Sequence, residues 1–154
     1  MKNKVYIQFA ITIMLLLLWI PALLDKLLQF GTFQSGILKQ PFSDELGYML
    51  IYSLPILEIA IVILLVSSKY RWMGFVLSSV LMMTFTGYIA IALMGAWDKI
   101  PCGCGSVISS MSWKQHLWFN LFFLAISLVG FIVSIKLRND GSYRSSDIVE
   151  NSNT

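Results

Sequence analysis

Four runs of apolar residues, each about twenty long and nearly free of charge, constrain this chain more than anything else in it. The first spans Val5 to Leu24 and includes the unbroken block from Ile13 to Ile20. The second spans 46–68 with one ionisable residue, Glu58; the third spans 73–97 with none; the fourth spans 117–135. At about 1.5 Å per residue, each run is long enough to cross about 30 Å of hydrocarbon. Backbone groups find no water there, so all four must be helical. The expected fold is an all-α integral membrane protein, a bundle of four transmembrane helices over residues 1–138.

Composition agrees. The 154 residues are 57% hydrophobic and 12% charged, whereas soluble domains are nearer 45–50% and 25%. A soluble enzyme and a nucleic-acid-binding protein are both excluded, and four spans leave no room for a further folded domain. Residues 139–154 are polar, rich in Ser and Asn, and are expected to be a disordered tail.

The first run is not read as a signal peptide. It exceeds the usual apolar core of about 7–15 residues, and Trp19, Ile20 and Pro21 stand where small cleavage-site residues would be needed. Basic residues give the orientation. Lys2, Lys4, Lys69, Arg71, Lys136, Arg138 and Arg144 fall on one side, and Lys26, Lys39, Lys99 and Lys114 on the other. By the positive-inside rule both termini are cytoplasmic. In a bacterial inner membrane the two longer loops then face the periplasm. Trp97, Trp113 and Trp118 mark the outer interface and Trp72 the inner one.

From Asp25 to Gln40 apolar residues recur at near-helical spacing. The plainer reading is a helical continuation lying along the interface; the alternative is a lid. Ser43, followed by Asp44 and Glu45, signals the next helix start.

The only two cysteines, Cys102 and Cys104, occur as I-P-C-G-C-G-S in the second outward loop. The envelope side is where thiols form and exchange disulfides. Pro101, Gly103 and Gly105 make a permissive turn. Lys99, Lys114, His116 and the start of the fourth helix place positive charge nearby, which favours thiolate. The pair reads as a redox dithiol, as a static disulfide, or as two unreactive thiols in a turn. Cys102, Cys104, Met111 and His116 are soft enough for Cu(I) or Zn, but their spacing matches no metal motif, and no metal is assigned. A relay from a soluble thiol protein to a quinone generally uses two dithiol pairs, and this chain has one. One pair can run a single exchange step but not a two-pair relay; no cofactor is assigned, and a quinone is the candidate.

Glu58 lies twelve residues beyond Leu46, about 18 Å along the helix. At that depth an acid must be protonated or paired, and Thr84, Thr86 and Tyr88 of the third run are the expected partners. It serves either as a proton-handling or quinone-binding group or as a buried hydrogen bond fixing helix packing. Pro55, three residues earlier, frees a backbone carbonyl. His116, one turn before Asn120, is a candidate base or charge partner for the cysteines.

L-P-I-L-E at 54–58, C-G-C-G at 102–105, S-W-K-Q-H-L-W-F-N at 112–120 and Asp25-Lys26-Leu27 after the first span together resemble the MauE/DoxX-like family of redox-associated membrane proteins. The likeness covers residues 5–137. It implies a four-helix membrane bundle tied to envelope thiol-disulfide chemistry, with Cys102 and Cys104 as the exchanging pair and a periplasmic thioredoxin-like partner. The MauE branch further implies a link to methylamine utilisation through maturation of a disulfide-rich protein. That branch commonly carries C-G-C-F-G, whereas Gly105 and Ser106 follow the second cysteine here. The alternatives are a non-enzymatic subunit anchoring a larger membrane complex, and a carrier of a metal or small molecule.

The charge asymmetry yields the first test. A membrane-impermeant maleimide should label reduced Cys102 or Cys104 from outside intact spheroplasts. Labelling only after the membrane is opened would reverse the orientation.

Overall fold

The computed structural model describes residues 2–41, 43–95 and 112–152, with side chains at 3–41, 43–95, 112 and 114–139. Its described residues form five helices: α1 (Lys2–Leu28), α2 (Phe30–Leu38), α3 (Asp44–Val66), α4 (Arg71–Leu93) and α5 (Trp113–Ser152). Four stretches are long and apolar enough to cross a membrane: Asn3–Leu28, Asp44–Val66, Arg71–Leu93 and Lys114–Asn139. They overlap the four expected runs, with the ends displaced by a few residues.

Most displacements have local causes. α1 runs past Leu24 because Pro21 removes one N–H without ending the helix, and Leu23, Leu24, Leu27 and Leu28 are good helix formers. α3 starts at Asp44, where the Ser43 side chain accepts from the Leu46 N–H and two acids occupy the first turn. α4 stops at Leu93 because Gly95 adopts φ +79°, a left-handed cap that glycine takes without strain. Its N–H bonds the Ala92 carbonyl at 3.2 Å. α5 opens on a capping box. The Ser112 N–H donates to Gln115 Oε1 at 2.9 Å, and the Gln115 N–H donates back to Ser112 Oγ at 3.4 Å. At its other end the backbone of 139–152 stays helical, where composition predicts disorder. A helix already nucleated adds residues at little cost, and no proline interrupts this stretch.

The four long helices close a ring in the order α3, α1, α5, α4, each touching its two neighbours, while α2 packs on α3 and α1. Neighbours run antiparallel. Gln8 Nε2 of α1 donates to Ser134 Oγ of α5 at 2.7 Å. The Trp19 indole N–H crosses the ring to Ser78 Oγ of α4 at 2.9 Å, and Ser78 lies 3.0 Å from Ser127 Oγ of α5. This chain of Trp19, Ser78 and Ser127 ties three helices together at the bundle centre.

An apolar core that includes Leu15, Trp19, Ile61, Leu65 and Phe75 is shared with polar side chains, and the outer surface is apolar as well. Thr12, Glu58, Ser78, Ser79, Asn120, Ser127 and Ser134 are buried, while Leu17, Met49, Ile56, Ile63, Val66, Val80, Met83 and Phe122 are exposed. Lipid is as apolar as a core, so small residues and interhelical hydrogen bonds drive packing instead. Two glycines mark the closest approaches. A Cβ on Gly74 would lie 2.9 Å from the Leu65 backbone nitrogen, and one on Gly130 would lie 2.6 Å from the ring of Phe75.

The α3–α4 contact therefore predicts that Gly74→Ala lowers stability by about 1–3 kcal/mol, because backbone cannot move aside. Gly87→Ala, with nothing within 4 Å of the added carbon, should be neutral or mildly stabilising. Thermal unfolding in detergent distinguishes the two; equal behaviour would discount the close approach.

Candidate functional site

α3 carries Glu58 fourteen residues from Asp44 and eight from Val66, well inside the hydrocarbon. Its side chain is fully buried. Lys26 of α1 supplies the compensating charge: Nζ donates to Glu58 Oε1 at 2.8 Å. The same ammonium donates to the Ala22 carbonyl at 3.3 Å and sits 5.9 Å from the centre of the Phe33 ring of α2. That carbonyl lies one turn back along α1, so the lysine stem runs inward, away from the helix end.

Three elements build this pair. The one further turn that α1 adds beyond Leu24 brings Lys26 into the helix. α2 buries Phe33 and Ile37 beside it, leaving the Lys26 side chain only 12% exposed. Within α3, Pro55 has no N–H for the Ile51 carbonyl, one turn before Glu58.

The partners expected for Glu58 are elsewhere. The Thr84 and Thr86 hydroxyls donate to the backbone carbonyls of Val80 and Met82, at 2.9 and 2.7 Å. The Tyr88 hydroxyl donates to Gln40 Oε1, between α2 and α3. Register explains the difference. Gly74 meets Leu65 across the α3–α4 contact, and continuing that antiparallel pairing sets Glu58 opposite Leu81, below all three hydroxyls. The basic-residue pattern alone puts Lys26 in the first outward loop. The sequence signal for it was present in Asp25-Lys26-Leu27, a charge following an apolar run with no turn residue between them.

Asn120, on the second turn of α5, is also buried, at 3% exposure. Among the described residues, its Nδ2 and Glu58 Oε2 are buried atoms without a hydrogen-bond partner. His116, one turn earlier, is partly buried, and its backbone N–H bonds the Ser112 carbonyl at 2.9 Å. Lys114 is exposed. Cys102 and Cys104, together with Lys99, lie outside the described residues. The helix ends flanking them, Leu93 and Trp113, belong to the same end of the ring as the end of α1, all of α2 and the start of α3. The Gln40–Tyr88 bond joins elements at that end.

At the opposite end Arg71 Nε donates to the Leu65 carbonyl at 2.9 Å, capping α3 with a cation, and Arg138 lies over the Trp72 ring at 5.1 Å. No set of three or more His, Cys, Asp or Glu side chains suited to a metal occurs among the described residues.

A sequence profile of the family described as methylamine utilisation protein MauE matches residues 4–133. The chain belongs to the MauE family. No curated protein and no solved structure matches it. The matched region takes in all of α2, α3 and α4, nearly all of α1 and the first half of α5, and so contains Lys26, Glu58, Asn120 and both cysteines.

Breaking a buried ion pair by removing one partner typically costs about 3–5 kcal/mol, because the other charge is left uncompensated. Lys26→Met and Glu58→Leu should each lose stability on that scale. Combining them should cost clearly less than the two losses added together. Glu58→Gln, which keeps an acceptor for Lys26, should remain folded. Chemical denaturation in detergent completes the cycle, and strict additivity would mean that the pair carries no coupling.

Proposed function

We propose that this MauE-family protein is a bacterial inner-membrane component of envelope thiol-disulfide chemistry. In this reading Cys102 and Cys104 form the exchanging pair, and a periplasmic thioredoxin-like protein is the partner. Within its family the work is the maturation of a disulfide-rich protein needed for methylamine utilisation. The observation that carries the reading is the C-G-C pair in a chain of this family, on the connection leaving the end of the bundle where Lys26 and Glu58 are buried.

The chemistry needs little more. A thiolate of the partner attacks one sulfur of the Cys102–Cys104 disulfide, giving a mixed disulfide and a free thiolate on the other cysteine. The partner's second thiolate then resolves it, so the partner leaves oxidised and Cys102 and Cys104 are reduced. A ring closed across one residue is strained, and strained exposed disulfides are the more oxidising ones. The first turn of α5, with Lys114 and the unpaired N–H groups of a helix start, favours the thiolate leaving group. His116, one turn into that helix, serves as the base or charge partner in this reading. The ion pair fixes α1 against α3 and so holds the frame from which the connection departs.

Trapping tests this. With Cys102→Ser and Cys104→Ser expressed separately, one variant should accumulate a mixed disulfide with a thioredoxin-like partner, visible on a non-reducing gel after acid quenching. The other should show none. If both single variants and the double variant leave partner oxidation and growth on methylamine unchanged, thiol exchange is wrong, and an anchoring subunit with a bridged loop becomes the better account.

A further inference from the structure

The end of the ring farther from α2 gathers cations without acids. Lys69 and Arg71 stand at the entry to α4, and Lys136 and Arg138 on the outgoing half of α5. The described carboxylates are elsewhere. Asp25, Asp44 and Glu45 belong to the α2 end, and Glu58 lies inside the bundle. Among the described side chains, then, no acid offsets these four charges.

Two of the four are held in place. Arg71 Nε donates to the Leu65 carbonyl at 2.9 Å, which leaves the two terminal nitrogens of its fork to a further acceptor. The Arg138 guanidinium lies over the Trp72 ring, 5.1 Å from its centre. Stacking uses the flat face of the guanidinium and leaves its N–H edge to an anion. Helix register brings this pair together. Ser78 meets Ser127, and Phe75 meets Gly130, across α4–α5, so Trp72 faces Val133. Arg138 starts five residues, about 7.5 Å, farther out. Side chains lean toward the N-terminus of their helix, so Arg138 folds back toward the bundle while Trp72 rises to meet it. Tryptophan belongs at the depth of the headgroups, and the guanidinium stacked on it shares that depth.

Below this pair the surface becomes apolar. Val80 and Met83 of α4 and Leu128 and Ile132 of α5 are exposed, about two to three turns beneath Trp72 and Arg138. Cations standing above an apolar wall match a molecule that has an anionic head and hydrocarbon chains. A free phosphate would use the cations and leave the wall without purpose. We propose that the seam between α4 and α5 at this end binds an anionic phospholipid. The Arg138 fork, braced on Trp72, holds two phosphate oxygens. Lys136, Lys69 and Arg71 add attraction, and the acyl chains lie along the wall. In the orientation given above, this lipid belongs to the cytoplasmic leaflet. The proposal is independent of the thiol reading.

Lipid retention tests it. Native mass spectra of the purified full-length protein, titrated with dioleoylphosphatidylglycerol in dodecyl maltoside, should show one adduct that saturates. Dioleoylphosphatidylcholine should be retained at least tenfold more weakly. Arg138→Gln and Lys136→Gln change exposed side chains, and circular dichroism should find both folded. Each should weaken phosphatidylglycerol about fivefold, the share of one cation near a membrane surface. Arg138→Lys, which keeps the charge and loses the planar fork, should fall between Arg138→Gln and the wild type. Lys39→Gln, at the other end, should bind like the wild type. Phosphatidylglycerol should also raise the thermal unfolding midpoint, and inorganic phosphate at the same concentration should not. Equal retention of the two lipids, unchanged retention in both α5 variants, or an equal loss in Lys39→Gln overturns the site. Stabilisation by inorganic phosphate alone overturns the assignment to a lipid.

Discussion

A lysine and a glutamate paired inside the hydrocarbon set the terms for the rest of this bundle. Either charge alone would be expensive at that depth, and the 2.8 Å contact between Lys26 Nζ and Glu58 Oε1 ties the depth of α1 to that of α3. α2 then has a function in the fold: its buried Phe33 ring lies 5.9 Å from the ammonium. The hydrophobic effect does not assemble helices in lipid, so such polar contacts choose the arrangement. The Trp19–Ser78–Ser127 chain makes the same kind of choice lower in the bundle, for α1, α4 and α5.

The two ends of the molecule differ in chemical character. One carries Lys69, Arg71, Lys136 and Arg138, with a guanidinium stacked on Trp72. The other carries α2, the buried pair beneath it, and the helix termini from which the cysteine connection departs. The cysteine connection re-enters the described bundle at that second end through the α5 capping box. The Ser112–Gln115 hydrogen bonds fix the N-terminus of α5.

Long-range features of the fold were legible in the sequence because bilayer thickness imposes a length that no other solvent imposes. Four apolar runs could only be four helices, and Ser43 before Asp44 and Glu45 announced a helix start where one is found. What the sequence did not disclose was lateral pairing. Glu58 was visible as a buried acid, but which neighbour met it depended on register, and register rests on close contacts such as Gly74 against Leu65. Lys26 was hidden for a related reason: a lysine just past an apolar run reads as a loop residue unless the helix is known to continue. Asn120 stands out in the sequence only by its spacing from His116, and spacing along one helix does not reveal whether an amide faces lipid or its bundle.

Lys26 and Glu58 are separated by 32 residues of chain, and that gap orders their arrival in the membrane during biogenesis. When α1 is first threaded into the bilayer, α3 is not yet there to receive its ammonium. A long lysine near a helix end can meanwhile reach up to the headgroups, its stem remaining in the apolar region. Only when α3 arrives can the side chain turn back along α1 toward Ala22 and Glu58, and the swing from water to carboxylate would latch the inserted helices together.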